Sequence, residues 1–188
     1  NTAGPMGDTN GTLESGSNGF LIPEFGYNAK YSDSVSYGVT VYGNGGMNTD
    51  YNPGDAMFGQ GRMGVDLIQL IVAPTIAMKL DDKHSVGISP LLIHQQFSVQ
   101  GVQNFTQNPA QQSVNRAAMT NRGYDHSNGI GVRLGYLGKL NANTNLGFSY
   151  SPRTKMSKFG DYEGFFADAG GFDIPENYTL GLSYQAAP

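Results

Sequence analysis

The fold is decided by residues 65–79, VDLIQLIVAPTIAMK, because apolar and polar side chains alternate along most of this stretch. One face carries the larger apolar side chains Ile68, Leu70, Val72, Ile76 and Met78. The other face carries Gln69, Ala73, Thr75 and Ala77. A period of two is that of a β-strand, whose successive side chains point to opposite faces. The stretch therefore predicts a strand with one apolar face and one small or polar face.

The same alternation recurs along the rest of the chain. It predicts six more strands, at about 19–31, 35–43, 84–99, 129–140, 145–156 and 176–185. In a soluble sandwich the face away from the core carries Lys, Glu and Thr, whereas here the second face is mostly Gly and Ser. A membrane barrel shows its apolar face to lipid and keeps polar residues inside. The sequence therefore predicts an all-β protein, an antiparallel transmembrane β-barrel with about seven strands in this chain.

Connections and breakers refine this prediction. Short turns at 32–34, 80–83 and 141–144 alternate with long segments at 1–18, 44–64, 100–128 and 157–175, as in outer-membrane barrels. A short helix is expected to begin at Asn108 and Pro109. Bulges or kinks are expected where prolines fall inside predicted strands, at Pro23, Pro74, Pro90 and Pro152.

Composition excludes several classes of protein. No stretch approaches the roughly 18 consecutive apolar residues of a membrane-spanning helix. Charged residues make up only 14% of the chain while Gly reaches 27 of 188, which favours an all-β structure. The absence of Cys excludes thiol catalysis and Cys-based zinc sites. A net charge of -4 argues against a nucleic-acid partner.

Three motifs suggest chemistry, and each has a simpler explanation. Residues 59–64 match the dinucleotide-binding glycine pattern, but a strand follows where that motif needs a helix. Asp125, His126 and Ser127 are the residue types of a catalytic triad, yet adjacent residues cannot form its relay. Residues 50–55 begin like a calcium loop and lack its terminal Glu, so turn chemistry is favoured and a calcium ion stays open. We therefore expect no catalytic residue, no cofactor and no assigned metal site.

Two groups of residues are candidates for ligand contact. Arg133, Arg153 and Lys155 lie on the predicted inward face, where they could pair with carboxylates or guide an anionic substrate. Apolar side chains are also crowded into two polar loops, at Phe105, Val114, Met119, Phe159, Phe165 and Phe166. These could pack the loops together or form a surface groove for a hydrophobic ligand.

Several stretches resemble the FadL/TodX-type family of outer-membrane transporters for hydrophobic compounds. They are 20–27 (FLIPEFGY), 36–46 (SYGVTVYGNGG), 64–97, 129–155 and 172–176 (FDIPE). The resemblance implies a monomeric barrel of fourteen strands, closed by an N-terminal hatch, in the bacterial outer membrane. Residues 1–188 would form part of that single domain, about half of the barrel, without the hatch or the C-terminal strands.

The resemblance also implies a function and a route. The function would be passive uptake of long-chain fatty acids or other hydrophobic compounds, in contact with outer-membrane lipid and lipopolysaccharide. The ligand would be captured between the loops at 100–128 and 157–174 and released sideways through the barrel wall. That opening would lie at Gly43, Asn44, Gly45 and Gly46, facing Phe20 and Leu21 on the neighbouring strand. A non-transporting structural or adhesin barrel, or a soluble β-sandwich binding module, remains the alternative.

Overall fold

The computed structural model describes residues 12–54, 58–59, 61–107 and 113–186, and its strands form one antiparallel sheet in chain order. The strands are β1 (Glu24–Lys30), β2 (Val35–Tyr51), β3 (Met63–Lys79), β4 (His84–Gln100), β5 (Asp125–Asn141), β6 (Thr144–Ser151) and β7 (Asn177–Tyr184). The helical elements are short: α1 (Gln103–Gln107) and the 3₁₀ turns Arg116–Ala118 and Gly160–Tyr162. Within these ranges, no helix has the length and apolar character needed to cross a membrane.

The two faces of the sheet differ as the alternation predicts. On β3, Ile68 and Ile76 are exposed while Gln69 and Ala73 are buried. The sheet curls towards the face that carries Gln69, because Tyr42 of β2 bonds Arg133 of β5 across two intervening strands. We call this concave side the inner face and the opposite side the outer face. The apolar residues therefore lie outward, as they do in a membrane barrel.

The inner face is more apolar than the alternation predicts. The cluster nearer the long loops, which we call the upper cluster, contains Leu67, Phe97, Val99, Phe159 and Tyr162. A lower cluster contains Ile71, Ala73, Leu91, Ile93 and Met156. Both clusters include residues from the long segment after β6, which folds over the inner side of β3, β4 and β5. The prediction of a small or polar inner face was wrong here, because β3 and β4 carry apolar side chains on this face where the segment after β6 packs against them.

Prolines interrupt the sheet where the missing N–H requires it. The β3–β4 pairs run as far as Val72–Leu92 and resume at Ile76–Ile88, and Pro74 and Pro90 lie within the interruption. A hydrogen bond of 2.6 Å between the Thr75 and Ser89 hydroxyls joins the strands there. Pro23 immediately precedes β1 and Pro152 immediately follows β6, so each of these prolines marks a strand boundary.

The three largest differences between predicted and observed strand ends are in β1, β2 and β6. β1 begins at Glu24 instead of residue 19, and β6 ends at Ser151 instead of residue 156, because a proline lies at each boundary. β2 does not end at residue 43 but continues to Tyr51, since it keeps pairing with the equally long β3. The helix expected from Asn108 and Pro109 begins outside the described residues.

Candidate functional site

An aromatic cluster covers the inner face near the long-loop end of β4. Phe97 of β4 is at its centre, and we define the cluster as Phe97, Phe159, Tyr162, Phe165, Phe166 and Phe172. The ring centroid of Phe97 lies 4.8 Å from that of Phe166, 5.0 Å from that of Tyr162, 5.4 Å from that of Phe165 and 5.7 Å from that of Phe159. These are normal spacings for packed aromatic rings. The cluster therefore joins the long segment after β6 to the sheet.

Hydrogen bonds fix the buried end of the aromatic cluster. The Tyr162 hydroxyl donates to the Gly123 carbonyl at 2.5 Å and accepts from the Val99 amide at 3.3 Å. Tyr162 and Phe159 are fully buried, whereas Phe165 is 40% exposed and Phe172 is 36% exposed. The cluster thus has a fixed floor and an apolar rim that an external hydrophobic molecule can reach.

The structure brings together only some of the residues that were predicted to form the groove. Phe159, Phe165 and Phe166 belong to the aromatic cluster, while Phe105 packs against Phe58 with centroids 5.6 Å apart. Met119 is buried and Val114 is 70% exposed. The sequence patterns did not single out Phe97 or Tyr162. Phe97 could have been found, because an aromatic residue on the predicted small and polar face is unusual.

The two long loops are joined directly to each other. The Ser113 hydroxyl donates to the Gly164 carbonyl at 2.8 Å, and the Gly164 amide donates to the Ala118 carbonyl at 3.0 Å. The Asn115 side chain donates to Glu163 at 2.7 Å. The described part of the loop at 100–128 is therefore joined to the loop at 157–174 by hydrogen bonds.

A gap in the wall lies between β1 and β2. Their ladder ends at the pair Glu24–Tyr42, and among the described residues hydrogen bonding between the two segments resumes where Ser17 bonds Asn48 at 2.5 Å and Gly16 bonds Asp50 at 2.7 Å. We call the unpaired stretch between these contacts, residues 18–23 and 43–47, the wall gap. The side chains beside it are apolar and exposed, at Phe20, Leu21 and Ile22.

The other edge of β2 remains paired at the wall gap. The β2–β3 register shifts once, between Gly43 and Gly45, and then continues. The unpaired stretch is therefore confined to the β1 side of β2, the side on which the opening was predicted from the sequence. None of Gly43, Gly45 and Gly46 has a positive φ. Space is what Gly43 provides, since a Cβ there would lie 3.0 Å from Ile22 Cγ2.

The three predicted lumen cations lie in different settings. Arg133 is on the inner face, where it donates to the Tyr42 hydroxyl at 2.8 Å and to the Ser151 hydroxyl at 3.1 Å. Arg153 and Lys155 do not face inward, because the alternation changes phase at Pro152. Thr154 and Met156 are the buried residues of this segment, and Arg153 and Lys155 are exposed between and beside them.

Asp173 holds the segment after β6 in place. Its carboxylate accepts from the Met156 amide at 2.9 Å and from Arg153 Nε at 3.0 Å. The Met156 N–H, followed by the Arg153 guanidinium, lowers the pKa of Asp173 from its usual 3.8. Arg153 thus serves as a structural partner of this carboxylate.

The residues of the other two motifs, the calcium-like loop and the triad-like run, are either bonded to structural partners or point to opposite faces. Asp50 accepts two hydrogen bonds from Arg62, at 2.5 Å and 2.6 Å, and Asp55 lies outside the described residues. Consecutive positions on β5 place Ser127 on the inner face and His126 on the outer face, so the two do not meet. Among the residues described, no three His, Asp or Glu side chains are grouped to hold a metal ion.

Comparison with known proteins gives one family and several similar structures. Residues 2–187 match the family described as outer membrane protein transport protein (OMPP1/FadL/TodX). No curated protein matches the chain.

Similar folds occur in solved structures of about twice this length. The Ralstonia pickettii toluene transporter TbuX superposes with a TM-score of 0.68 at 19% identity, over 94% of this chain and 55% of its own. The Pseudomonas putida toluene transporter TodX gives 0.64 at 18%, over 92% and 52%. A Pseudomonas aeruginosa FadL homologue gives 0.64 at 15%, over 98% and 50%. The chain spans about half the length of each.

Proposed function

Because this chain belongs to the OMPP1/FadL/TodX family of bacterial outer-membrane proteins, we propose that it carries hydrophobic small molecules across that membrane. Transport is passive and involves no covalent chemistry, catalytic residue or cofactor. Candidate substrates are long-chain fatty acids and aromatic hydrocarbons. The chain acts as part of one monomeric barrel whose outer face contacts lipid and lipopolysaccharide.

Capture takes place at the aromatic cluster. Its rim residues Phe165 and Phe172 are partly exposed, and its floor is fixed by Tyr162. A hydrophobic molecule gains about 25 cal/mol for each Å² of apolar surface that it removes from water. A preformed apolar surface beside the cell exterior therefore favours collection of dilute hydrophobic compounds.

The observation that carries the proposal is the wall gap. A membrane barrel normally pairs every strand, since each backbone polar group left unpaired in lipid costs several kcal/mol. Here β2 loses β1 as a partner between Tyr42 and Asn48, at a level where β3 still pairs with it. A structural or adhesin barrel has no use for such a defect. Lateral release of a hydrophobic molecule into the membrane requires such an opening in the wall.

A disulfide across the wall gap tests this route. The chain has no native cysteine, so Ile22→Cys with Gly43→Cys introduces a single pair, which we call the gap disulfide. A Cβ added at position 43 would lie 3.0 Å from Ile22 Cγ2, so the two positions are neighbours across the gap. In cells that produce the complete protein, we expect oxidation to lower uptake of radiolabelled toluene or oleate and reduction to restore it. Binding of the same compound to the purified protein should survive oxidation.

A second disulfide is the matched control. Phe25→Cys with Val41→Cys joins the same two strands at a position where the ladder is already closed. Oxidation of this pair should leave uptake unchanged. Equal uptake by the oxidised and reduced forms of the gap-disulfide variant would exclude lateral release at the gap. Uptake lost equally in both disulfide variants would indicate a general effect of oxidation.

A further inference from the structure

A row of polar side chains crosses the inner face between its two apolar clusters. The register places Gly45, Gln69, Gln95 and Ser127 opposite one another on β2, β3, β4 and β5. Above this row the pair Leu67–Phe97 belongs to the upper cluster, and below it the pair Ile71–Ile93 belongs to the lower cluster. We name Asn44, Gln69 and Gln95 the amide belt.

The amide belt begins at the wall gap and becomes more buried away from it. Asn44 is exposed and donates to Gln69 Oε1 at 3.1 Å. Gln69 is 8% exposed and Gln95 is fully buried. The three amides thus connect the wall gap to the centre of the inner face.

Gln95 is the exceptional member of the amide belt. Neither its Oε1 nor its Nε2 has a hydrogen-bond partner among the described residues. A buried amide without partners is costly, and native proteins keep such groups chiefly where a ligand, water or other group satisfies them. Gln95 therefore indicates a binding site for a polar group between two apolar surfaces.

The chemistry of the amide belt selects among polar groups. A Gln side chain offers one acceptor and two donors, and the residues opposite it in the register are uncharged. A carboxylate would bring an unpaired negative charge to this buried position and could not donate to Oε1. A hydroxyl can accept from Nε2 and donate to Oε1 at once. Arg133 lies further down β5 and is already held by Tyr42 and Ser151.

We propose that the amide belt binds the hydroxyl group of neutral hydrophobic alcohols, whose hydrocarbon part lies against the apolar clusters. This inference rests on the proposed transport function and names a substrate class for it. The hydroxyl approaches from the wall-gap side, where Asn44 is exposed beside the buried Gln69, and forms hydrogen bonds with Gln95. Neutral alcohols are therefore bound in preference to carboxylates and to alkanes of the same chain length.

Ligand competition tests this substrate class. The complete protein is purified in detergent, and dodecanol, dodecanoate and dodecane displace a fluorescent hydrophobic probe at a pH where dodecanoate is ionised. We expect Gln95→Leu to reduce the ratio of dodecanol to dodecane affinity by about tenfold, the value of one or two neutral hydrogen bonds. Gln69→Leu should reduce it in the same direction. Gln96→Leu is the matched control, because the neighbouring Gln96 points to the outer face.

Each outcome decides the inference. Loss of the alcohol preference in Gln95→Leu or Gln69→Leu, with Gln96→Leu unchanged, supports it. An unchanged ratio of dodecanol to dodecane affinity in the folded variants means that Gln95 does not bind the hydroxyl group, and the inference fails. Dodecanoate binding as tightly as dodecanol to the unmodified protein overturns it without any variant. Failure of all three compounds to displace the probe rejects the underlying transport proposal as well.

Discussion

At the scale of single residues, Phe97 and Tyr162 organise the candidate capture site. Phe97 presents an aromatic ring on the inner face, and four other rings of the aromatic cluster pack around it. Tyr162 links the loop after β6 to the chain on both sides of the preceding loop, through Val99 and Gly123. The position of the partly exposed rim residues depends on these two buried side chains.

Replacing Tyr162 with Phe tests this dependence. The change keeps the ring but leaves the Gly123 carbonyl and the Val99 amide without their partner. We expect the free energy of unfolding to fall by about 1–3 kcal/mol, the usual cost of a lost buried hydrogen bond. Denaturant unfolding in detergent measures this. Tyr184→Phe on the outer face is the control and should change stability little, so equal losses in the two variants would contradict the assigned role.

Asp173 gives a prediction for the effect of pH. Its pKa is lowered in the folded protein by the Met156 N–H and then by Arg153. The stabilisation is therefore complete above the usual value of 3.8 and is lost as the pH falls through the lower folded value. We expect pepsin to cleave the segment 152–174 increasingly as the pH falls below the usual value of 3.8.

The variant Asp173→Asn is the control for this titration. Its amide oxygen can still accept from the Met156 N–H, but the side chain no longer titrates in the acid range. Cleavage of the segment should then vary with pH only as pepsin activity itself does. If the unmodified protein and the variant share the same pH profile, another group controls the segment.

At the scale of elements, the glycines of β5 allow the segment after β6 to cover the inner face. An added Cβ at Gly131 would overlap Thr154 Oγ1, and one at Gly129 would overlap Met156 Sδ and approach the Lys155 carbonyl at 2.9 Å. Thr154 and Met156 are the buried residues of the segment. Small residues on β5 thus provide the space in which the segment packs, in addition to forming part of a polar lumen.

Replacing Gly129 with Ala should displace the segment at Met156. The added methyl group meets both a side chain and a backbone carbonyl, so the change cannot be absorbed by one rotamer. We expect more rapid proteolysis between residues 152 and 174 and weaker binding of hydrophobic probes at the aromatic cluster. Gly135→Ala is the matched control on the same face of the same strand, since its nearest neighbour would be 4.0 Å away. Similar behaviour of the two variants would show that close packing at Gly129 is unimportant.

At the scale of the whole molecule, the sheet has two unpaired edges and an apolar outer face. β1 and β7 are the terminal strands of the described sheet, and large outward side chains such as Ile130 and Leu180 are more than 70% exposed. Both features lead to association in water, because unpaired edges recruit strands and apolar patches exclude water. In a membrane, lipid hydrocarbon covers the same outer face.

Expression of residues 1–188 alone tests this property. We expect the isolated polypeptide to aggregate in detergent-free buffer and to elute from gel filtration as a broad or void-volume peak. Addition of detergent should reduce this association by covering the outer face. A sharp monomer peak with a cooperative thermal transition in plain buffer would instead support the soluble sandwich alternative.

The sequence by itself determined which segments are strands and which of their faces is apolar. The reason is that side chains alternate strictly along a strand, so the faces of residues 65–79 can be read without any partner. The interruptions at Pro74 and Pro90 were predictable for a similar reason, since proline lacks an N–H wherever it lies. The extension of β2 beyond Gly43 required knowledge of its neighbour, because β2 continues where the equally long β3 pairs with it.

Tertiary structure alone decided the sites. The contact of Phe97 with Tyr162 joins residues that are distant in sequence, and no periodicity connects them. The outward turn of Arg153 and Lys155 follows from a phase change at Pro152 that becomes favourable only when Thr154 and Met156 meet β5. The amide belt exists because the register aligns Gln69 with Gln95, and a shift of one residue would send one of them to the lipid face. Local patterns specify faces, whereas register and loop packing specify which side chains meet.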